Sequence, residues 1–403
     1  MQSGKLPLEL CEDIIGRVPD DRKTLAACGL TCRQWLPIIR PRLFRSANIS
    51  RKEDCIRLEK ALNAPKGSVL GIGPYIEELI IQSRGGPFPP TWLDRWLPRL
   101  LPKLDRVRHL TLNKLDWHRG GLREATRNCI LTFSRIVDTL VLDDIMLFDE
   151  PLGLWKLLSA YPKLSSLWIG NITETTSMLP PVPALEASDG VIQIQNFVLK
   201  RVVAYECPSI HFLLQPPFQL RLSVLSWGEV TVGTNASHLG AFLIEAGRSL
   251  QHLDFTLKRL FDPSEYFSLA SNMELISLRI TNKLPMSQFT CVPTLISEIA
   301  SPNFRQLDFE FEDPFDLGRY FEMDWEEIDE ALSSLGHRLP FLVISFSYWP
   351  WKRTHAIIGW LQKMLNFLLA QLPRLAACGT TLRVLCCCDS CGRNSGLFVS
   401  NSI

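Results

Sequence analysis

The sequence predicts an α/β protein: a small three-helix head followed by a solenoid of about eleven degenerate strand–helix units. Three observations predict it. From Ile76 onward one pattern keeps returning, apolar–x–x–apolar–x–apolar, and its central residues recur at intervals of 25–31 residues through the ninth unit. Between these patterns lie stretches with helical rather than strand periodicity. Residues 1–48 lack the pattern and read as short amphipathic helices.

The head comes first. Pro7 suits a helix start, where its missing N–H is not needed. Leu10, Ile14, Ile15 and Val18 then recur at helical spacing. Pro19-Asp20-Asp21 interrupts, and Asp20 or Asp21 can cap a second helix carrying Leu25, Cys28 and Leu30. Cys32-Arg33-Gln34-Trp35 opens a third, and Leu43-Phe44 closes the segment. Three helices in about 45 residues, without a disulfide or metal set, are near the lower size limit for independent stability. The apolar residues also exceed what so small a core can hold. Part of this surface is therefore expected to be covered, by the solenoid or by a partner.

Residues 49–70 read as a helical linker, 71–388 as the repeats and 389–403 as a polar tail. The patterns run Ile76-Leu79-Ile81, Val107-Leu110-Leu112, Val137-Leu140-Leu142, Leu164-Leu167-Ile169, Ile194-Phe197-Leu199 and Leu222-Leu225-Trp227. They continue as Leu250-Leu253-Phe255, Leu275-Leu278-Ile280, Phe304-Leu307-Phe309, Phe341-Ile344-Phe346 and Leu382-Leu385-Cys387. A local period of two predicts short strands. Trp92, Leu93, Trp96, Leu97 and Leu100 share a helical face; so do Leu152, Trp155 and Leu158, and Leu239 and Leu243. No unit can bury its apolar face alone, but stacked units share one core.

The repeats resemble leucine-rich repeats, with one departure. The usual Asn or Cys after the strand is replaced by Leu115, Ile145, Ile172, Val202 and Val230 in five consecutive units. The resemblance implies a horseshoe, and it supports architecture rather than chemistry. The head resembles the F-box, carried by Leu6-Pro7, Glu9-Leu10, Ile14-Ile15, Val18-Pro19, Leu25, Cys32-Arg33, Trp35 and Leu43-Phe44 in order. It departs at Gly29-Leu30-Thr31, where many F-boxes carry Ser-x-Val. An F-box followed by leucine-rich repeats is a combination common in fungal genomes. The resemblance implies docking on the Skp-type adaptor of an SCF ubiquitin ligase, and through it on a cullin and a RING subunit, while the repeats hold a protein substrate. It places Leu6, Pro7, Leu10, Ile14, Ile15, Leu25 and Trp35 at or near the adaptor interface, with some of them internal core instead. The alternative is an F-box scaffold acting outside a ligase.

Strand residues flanking the buried leucines point to the opposite face. In a horseshoe that is the concave, substrate-facing side. Candidates there are His109, Asp143, Trp168, Lys200, Asp254, Arg279, Asp308 and Glu310. Glu78, Ile80, Thr111, Ser226 and His252 share the same phase.

Composition bounds the rest. The chain has 403 residues, 46% hydrophobic and 21% charged, with a formal net charge of +1. It has room for two to three domains, and near neutrality gives no global pull toward nucleic acid or an anionic membrane. The neutral total hides a polarity: residues 84–135 hold 11 Lys/Arg against 4 Asp/Glu, and 308–332 hold 11 Asp/Glu against one Arg. The acidic run is a candidate for a basic partner and, more simply, a solvated face. Twelve cysteines without paired spacing, and Met1 to Lys5 without an apolar signal core, point to free thiols in the cytoplasm or nucleus. The sequons at Asn48, Asn171 and Asn235 then carry no weight. No apolar run of about 18 residues suggests a membrane span.

Enzymatic motifs are missing from the sequence. Gly71-Ile72-Gly73 lacks a third glycine and precedes Pro74, so it is no phosphate cradle. Neither a nucleophile elbow nor a metalloprotease helix occurs, and the seven histidines never pair at ligand spacing. Cys386-Cys387-Cys388 and Cys391 lack a second ligand pair. No catalytic residue, cofactor or metal is expected.

Overall fold

A computed structural model describes residues 7–63, 71–83, 91–117, 121–133, 135–146, 153–170, 172–173, 191–199, 208–230, 234–257, 265–282, 291–311, 323–348 and 357–386. The chain divides into two compact units, residues 1–192 and 193–403.

The first unit opens with three helices, α1 (Leu8–Gly16), α2 (Arg22–Thr31) and α3 (Leu36–Leu43), the last preceded by a 3-10 turn at Arg33–Trp35. Ile15, Leu25 and Ile39, one from each helix, form the buried centre. Val18, Cys28, Trp35, Ile38 and Leu43 pack around it. Asp21 is the cap the sequence anticipates: its carboxylate accepts from the Thr24 amide (2.9 Å) and hydroxyl (2.7 Å). Those bonds, the hydroxyl's first, hold the Asp21 carboxyl below its usual range.

Asp20 has a different task. It pairs with Arg42 of α3 at 2.6 Å. The same guanidinium donates to the carbonyls of Ile15 and, at 2.6 Å, Val18. The last carbonyls of a helix have no partner inside it, and Arg42 supplies one from across the head with a charge of the sign the helix dipole favours.

A parallel sheet follows. Its strands in this unit are β1 (Ser46–Ile49), β2 (Glu78–Gln82), β3 (His109–Asn113), β4 (Thr139–Asp143) and β6 (Ser166–Ile169), in that spatial order. The spacers are α4 (Lys52–Leu62), α5 (Thr91–Leu100), α6 (Glu124–Leu131) and α7 (Gly153–Ser159). Leu79, Leu110, Leu140 and Leu167 stand in register, buried. Leu93, Trp96, Leu97 and Leu100 of α5 are buried as their spacing predicts.

Two features depart from the sequence reading. β1 extends the ladder back into the segment read as head, with Ala47 opposite Leu79 and Ile49 opposite Ile81. The helix in 49–70 thus follows a strand of the sheet. The apolar residues that replace the usual Asn or Cys also make structure: Leu115 is fully buried, and β5 (Ile145–Met146) pairs with β7 (Ile172–Thr173) in a ladder of their own.

In the second unit the strands run β8 (Ile192–Leu199), β9 (Phe218–Val230), β10 (His252–Leu257), β11 (Ser277–Asn282), β12 (Gln306–Phe311), β13 (Val343–Tyr348) and β14 (Thr381–Cys386), again in chain order. The pairs from β9 to β14 are parallel. Helix α8 (Thr234–Ala246) follows β9, α9 (Val292–Ser297) follows β11, α10 (Trp325–Arg338) follows β12, and α11 (Ile357–Gln371) and α12 (Pro373–Ala377) both precede β14. Phe197, Trp227 and Phe242 form a buried aromatic trio, Phe197 and Phe242 stacked at 5.3 Å and Trp227 edge-on to Phe242 at 5.4 Å.

The last two repeats correct the pattern. Ile344 of β13 stands opposite Leu382, not Leu385. Leu382 and Val384 are buried, so the final motif is misplaced by three residues in the sequence reading. Phe341, expected inward, is 81% exposed, and Leu342 is buried in its place.

Both units share a device. Asp94 of α5 caps the next helix, accepting from the Arg123 amide (2.9 Å) and the buried Thr126 hydroxyl (2.6 Å). Asp329 of α10, itself buried, caps α12 through the amides of Arg374 and Leu375, both at 2.9 Å. Tyr161 donates to the Ile130 carbonyl at the end of α6.

Removing the Arg42 fork should loosen the head. Arg42→Ala should speed amide exchange of α1 in the full chain roughly 30-fold, corresponding to about 2 kcal/mol, with partial recovery in Arg42→Lys. Exchange mass spectrometry reads this directly; unchanged α1 protection would refute the role given to Arg42.

Candidate functional site

The head displays apolar side chains that its core does not use. On α1, Cys11 and Ile15 are buried, at 2% and 0% exposure, and Ile15 sits in the core. One residue earlier in each turn, Leu10 and Ile14 are 50% and 43% exposed. Residues four apart share a helix face, so α1 carries two apolar stripes and buries one. Pro7 at its start is exposed. Leu30 of α2 is 90% exposed, although its spacing with Leu25 and Cys28 suggests a core face.

Of the residues assigned to an adaptor interface, Pro7, Leu10 and Ile14 are therefore accessible. Ile15 and Leu25 lie in the core at 0% and 1% exposure, the internal position that the sequence leaves open for some of this set. Trp35 is half-buried against that core. Leu6 lies outside the described residues.

The second surface is the face of the first unit's sheet opposite its buried leucines. Three rows cross it. The first runs Ser46, Glu78, His109, Thr139 and Ser166. The second runs Asn48, Ile80, Thr111, Val141 and Trp168, and the third Gln82, Asn113 and Asp143. Side chains on all three rows retain solvent exposure, and Trp168 reaches 39%. Glu78 is accompanied by Arg45 at 3.9 Å. The Asp143 carboxylate lies over Gly170: a methyl group there would collide with its Oδ1. Asn113 and Gly170 were not among the sequence candidates; a glycine two residues past a strand tryptophan was the available signal.

The equivalent face of the second unit differs. Asp254, Arg279 and Asp308 occupy one row with Ser226 and Ser345. Arg279 lies 3.8 Å from Asp308, and Gln306 donates to Asp308 at 2.7 Å. Asp308, Ser345 and Ser347 are buried, at 8%, 2% and 7% exposure. Asp308 is corrected accordingly: it is not an accessible contact. Burial raises the Asp254 carboxyl above its usual range, partly opposed by Arg279 and by the Ser226 hydroxyl. Arg279 is exposed and Glu310 half-buried. Lys200 lies outside the described residues.

The acidic run is partly committed to structure. Asp324 caps α10 through the Glu327 amide, Asp329 caps α12, and Glu326 and Glu330 lie within 3.6 Å of Arg374. Residues 312–322 are outside the description, as are Cys387, Cys388 and Cys391. Among the described residues no group of three or more metal-ligating side chains occurs, and no helix is long and apolar enough to cross a membrane. Two smaller pairs stand apart: His211 stacks on His238 at 5.4 Å, and the Cys378 sulfur lies 3.3 Å from His337 Nε2. Burial, with the Asp329 charge adding to it, raises the Cys378 thiol above its usual range.

A carboxyl whose folded pKa is raised binds its proton more tightly when folded, so ionisation costs stability above the folded pKa and nothing below the ordinary 3.8. Asp254→Asn should raise the urea midpoint at pH 7, and the gain should shrink as pH falls toward 3.8. A gain independent of pH would show that burial of this charge is not the cause.

No protein-family model matches the chain, and no curated protein matches its sequence.

Proposed function

We propose that this protein is a substrate-recognition subunit of an SCF-type ubiquitin ligase. Its head would dock on the Skp-type adaptor and its repeats would hold a protein substrate. The observation that carries the reading is the second apolar stripe on α1. Leu10 and Ile14 are exposed beside a core that is already complete, and Pro7 and Leu30 add to the uncovered apolar surface. In a head of three short helices, such exposure fits a surface completed by a partner. The ordered F-box-like series from Leu6 to Phe44 supports a Skp-type adaptor as that partner.

The chain itself performs no covalent chemistry on this reading. A receptor accelerates transfer by holding substrate lysines near the charged conjugating enzyme, which raises their effective concentration.

Co-expression with a Skp-type adaptor tests the proposal. The wild-type chain should co-purify with it stoichiometrically. Leu10→Glu with Ile14→Glu should weaken the association at least 100-fold, as expected for buried interface anchors, while far-ultraviolet circular dichroism and the thermal midpoint stay close to wild type. Retained association would reject this interface. Adaptor binding without ubiquitin transfer to any captured protein would favour a scaffold outside the ligase.

A further inference from the structure

The open face of the first unit's sheet has one corner whose chemistry is specific. Trp168 presents its indole at 39% exposure, the largest exposed aromatic on that face. Asp143, one strand away, carries a carboxylate that has no cation within ion-pair distance among the described residues. The face's other carboxylate, Glu78, already has Arg45 beside it. Asn113 stands directly opposite Asp143, and its Oδ1 is shielded with no hydrogen-bond partner. Gly170 keeps the carboxylate in place, because any side chain there would displace it.

An exposed aromatic and a carboxylate with no cation at ion-pair distance among the described residues are groups that recognise a cationic side chain. A guanidinium or ammonium stacks on the electron-rich face of an indole and donates to carboxylate and amide oxygens. Trp168 stands opposite Val141, so Asp143 is its diagonal neighbour on the adjacent strand, about 7–8 Å away, within the span of one long cationic side chain. The half-buried Val141, opposite Trp168, and Ile80 in the same row supply apolar floor for the stem of a long side chain.

Building on the receptor reading, we propose that this corner selects protein segments bearing an arginine or lysine, seated over Trp168 and paired with Asp143. The site takes a basic side chain, not an acidic or phosphorylated one.

Panning the immobilised full-length chain against a displayed library of random 12-residue peptides tests this. Arginine or lysine should be enriched at one position, and the enrichment should vanish on Trp168→Ala and on Asp143→Asn. A labelled synthetic peptide from the enriched set should lose roughly tenfold or more in affinity on Asp143→Asn, a charged hydrogen bond's worth, and keep most of it on Trp168→Phe. Asp143→Asn is isosteric, and an unchanged thermal midpoint confirms that it folds. Enrichment of acidic or wholly apolar peptides, or of none that depend on Trp168, overturns the inference. Adaptor co-purification by the same variants separates the failures. If it persists while basic selection fails, the receptor reading stands and this site falls; if it is lost in the wild type, the receptor reading itself falls.

Discussion

The in-register parallel ladder is the constraint on which the other features depend. In a strand, alternate side chains go to opposite faces, and a slip of one residue would exchange the faces wholesale. Here the register is held at the lead-in to each strand. The Arg45 carbonyl accepts from the amides of Glu77 and Glu78, the Glu77 carbonyl from Arg108 and His109, and the Arg108 carbonyl from Asp138 and Thr139. The second unit repeats the device with Gln251 and Ile276. Once that lead-in is fixed, Leu110 and Leu112 must meet the helices and His109, Thr111 and Asn113 must meet solvent or a partner.

The helices depend on the same stacking. None of the spacers is long, and isolated helices of this length are marginal in water. Several lack a capping side chain of their own and take one from the repeat before, as α6 takes Asp94 and α12 takes Asp329. A repeat is thus completed by its neighbour twice, through apolar burial and through satisfaction of helix-end amides. The head shows the same logic at smaller scale, with Arg42 closing α1 from α3.

Much of this was legible in the sequence, and the misses share a cause. Period-two triads such as Val107-Leu110-Leu112 are unambiguous because their apolar residues serve nothing else. β1 escaped notice because Ala47 is small and the strand abuts the head. Leu382-Leu385-Cys387 satisfies the spacing rule as well as the true pair Leu382 and Val384 does, and only hydrogen-bonded register decides between them. Phe341 shows the limit from the other side: hydrophobicity at the right offset does not bury a residue when Leu342 fills the space. In the head, Leu10 beside Cys11 and Ile14 beside Ile15 look alike in sequence. Which stripe turns inward is set by α2 and α3, so the division between core and display is a tertiary fact.

That distinction also governs the sheet faces. Trp168 and Asp143 were readable as candidates from strand phase alone, as were Asp254 and Asp308, since phase assigns a side and not an exposure. The first unit keeps its rows accessible, and among the described residues Asp143 has no cation at ion-pair distance. The second encloses Asp308, Ser345 and Ser347 and balances its row with Arg279. A carboxylate enclosed beside its own arginine has already spent its electrostatic attraction internally, and exposing it to a partner would recover little. A carboxylate left half-open beside an indole has not. Identical strand phase therefore yields an enclosed row in one unit and a solvent-accessible row in the other, and the difference lies in which side chains the fold has already enclosed.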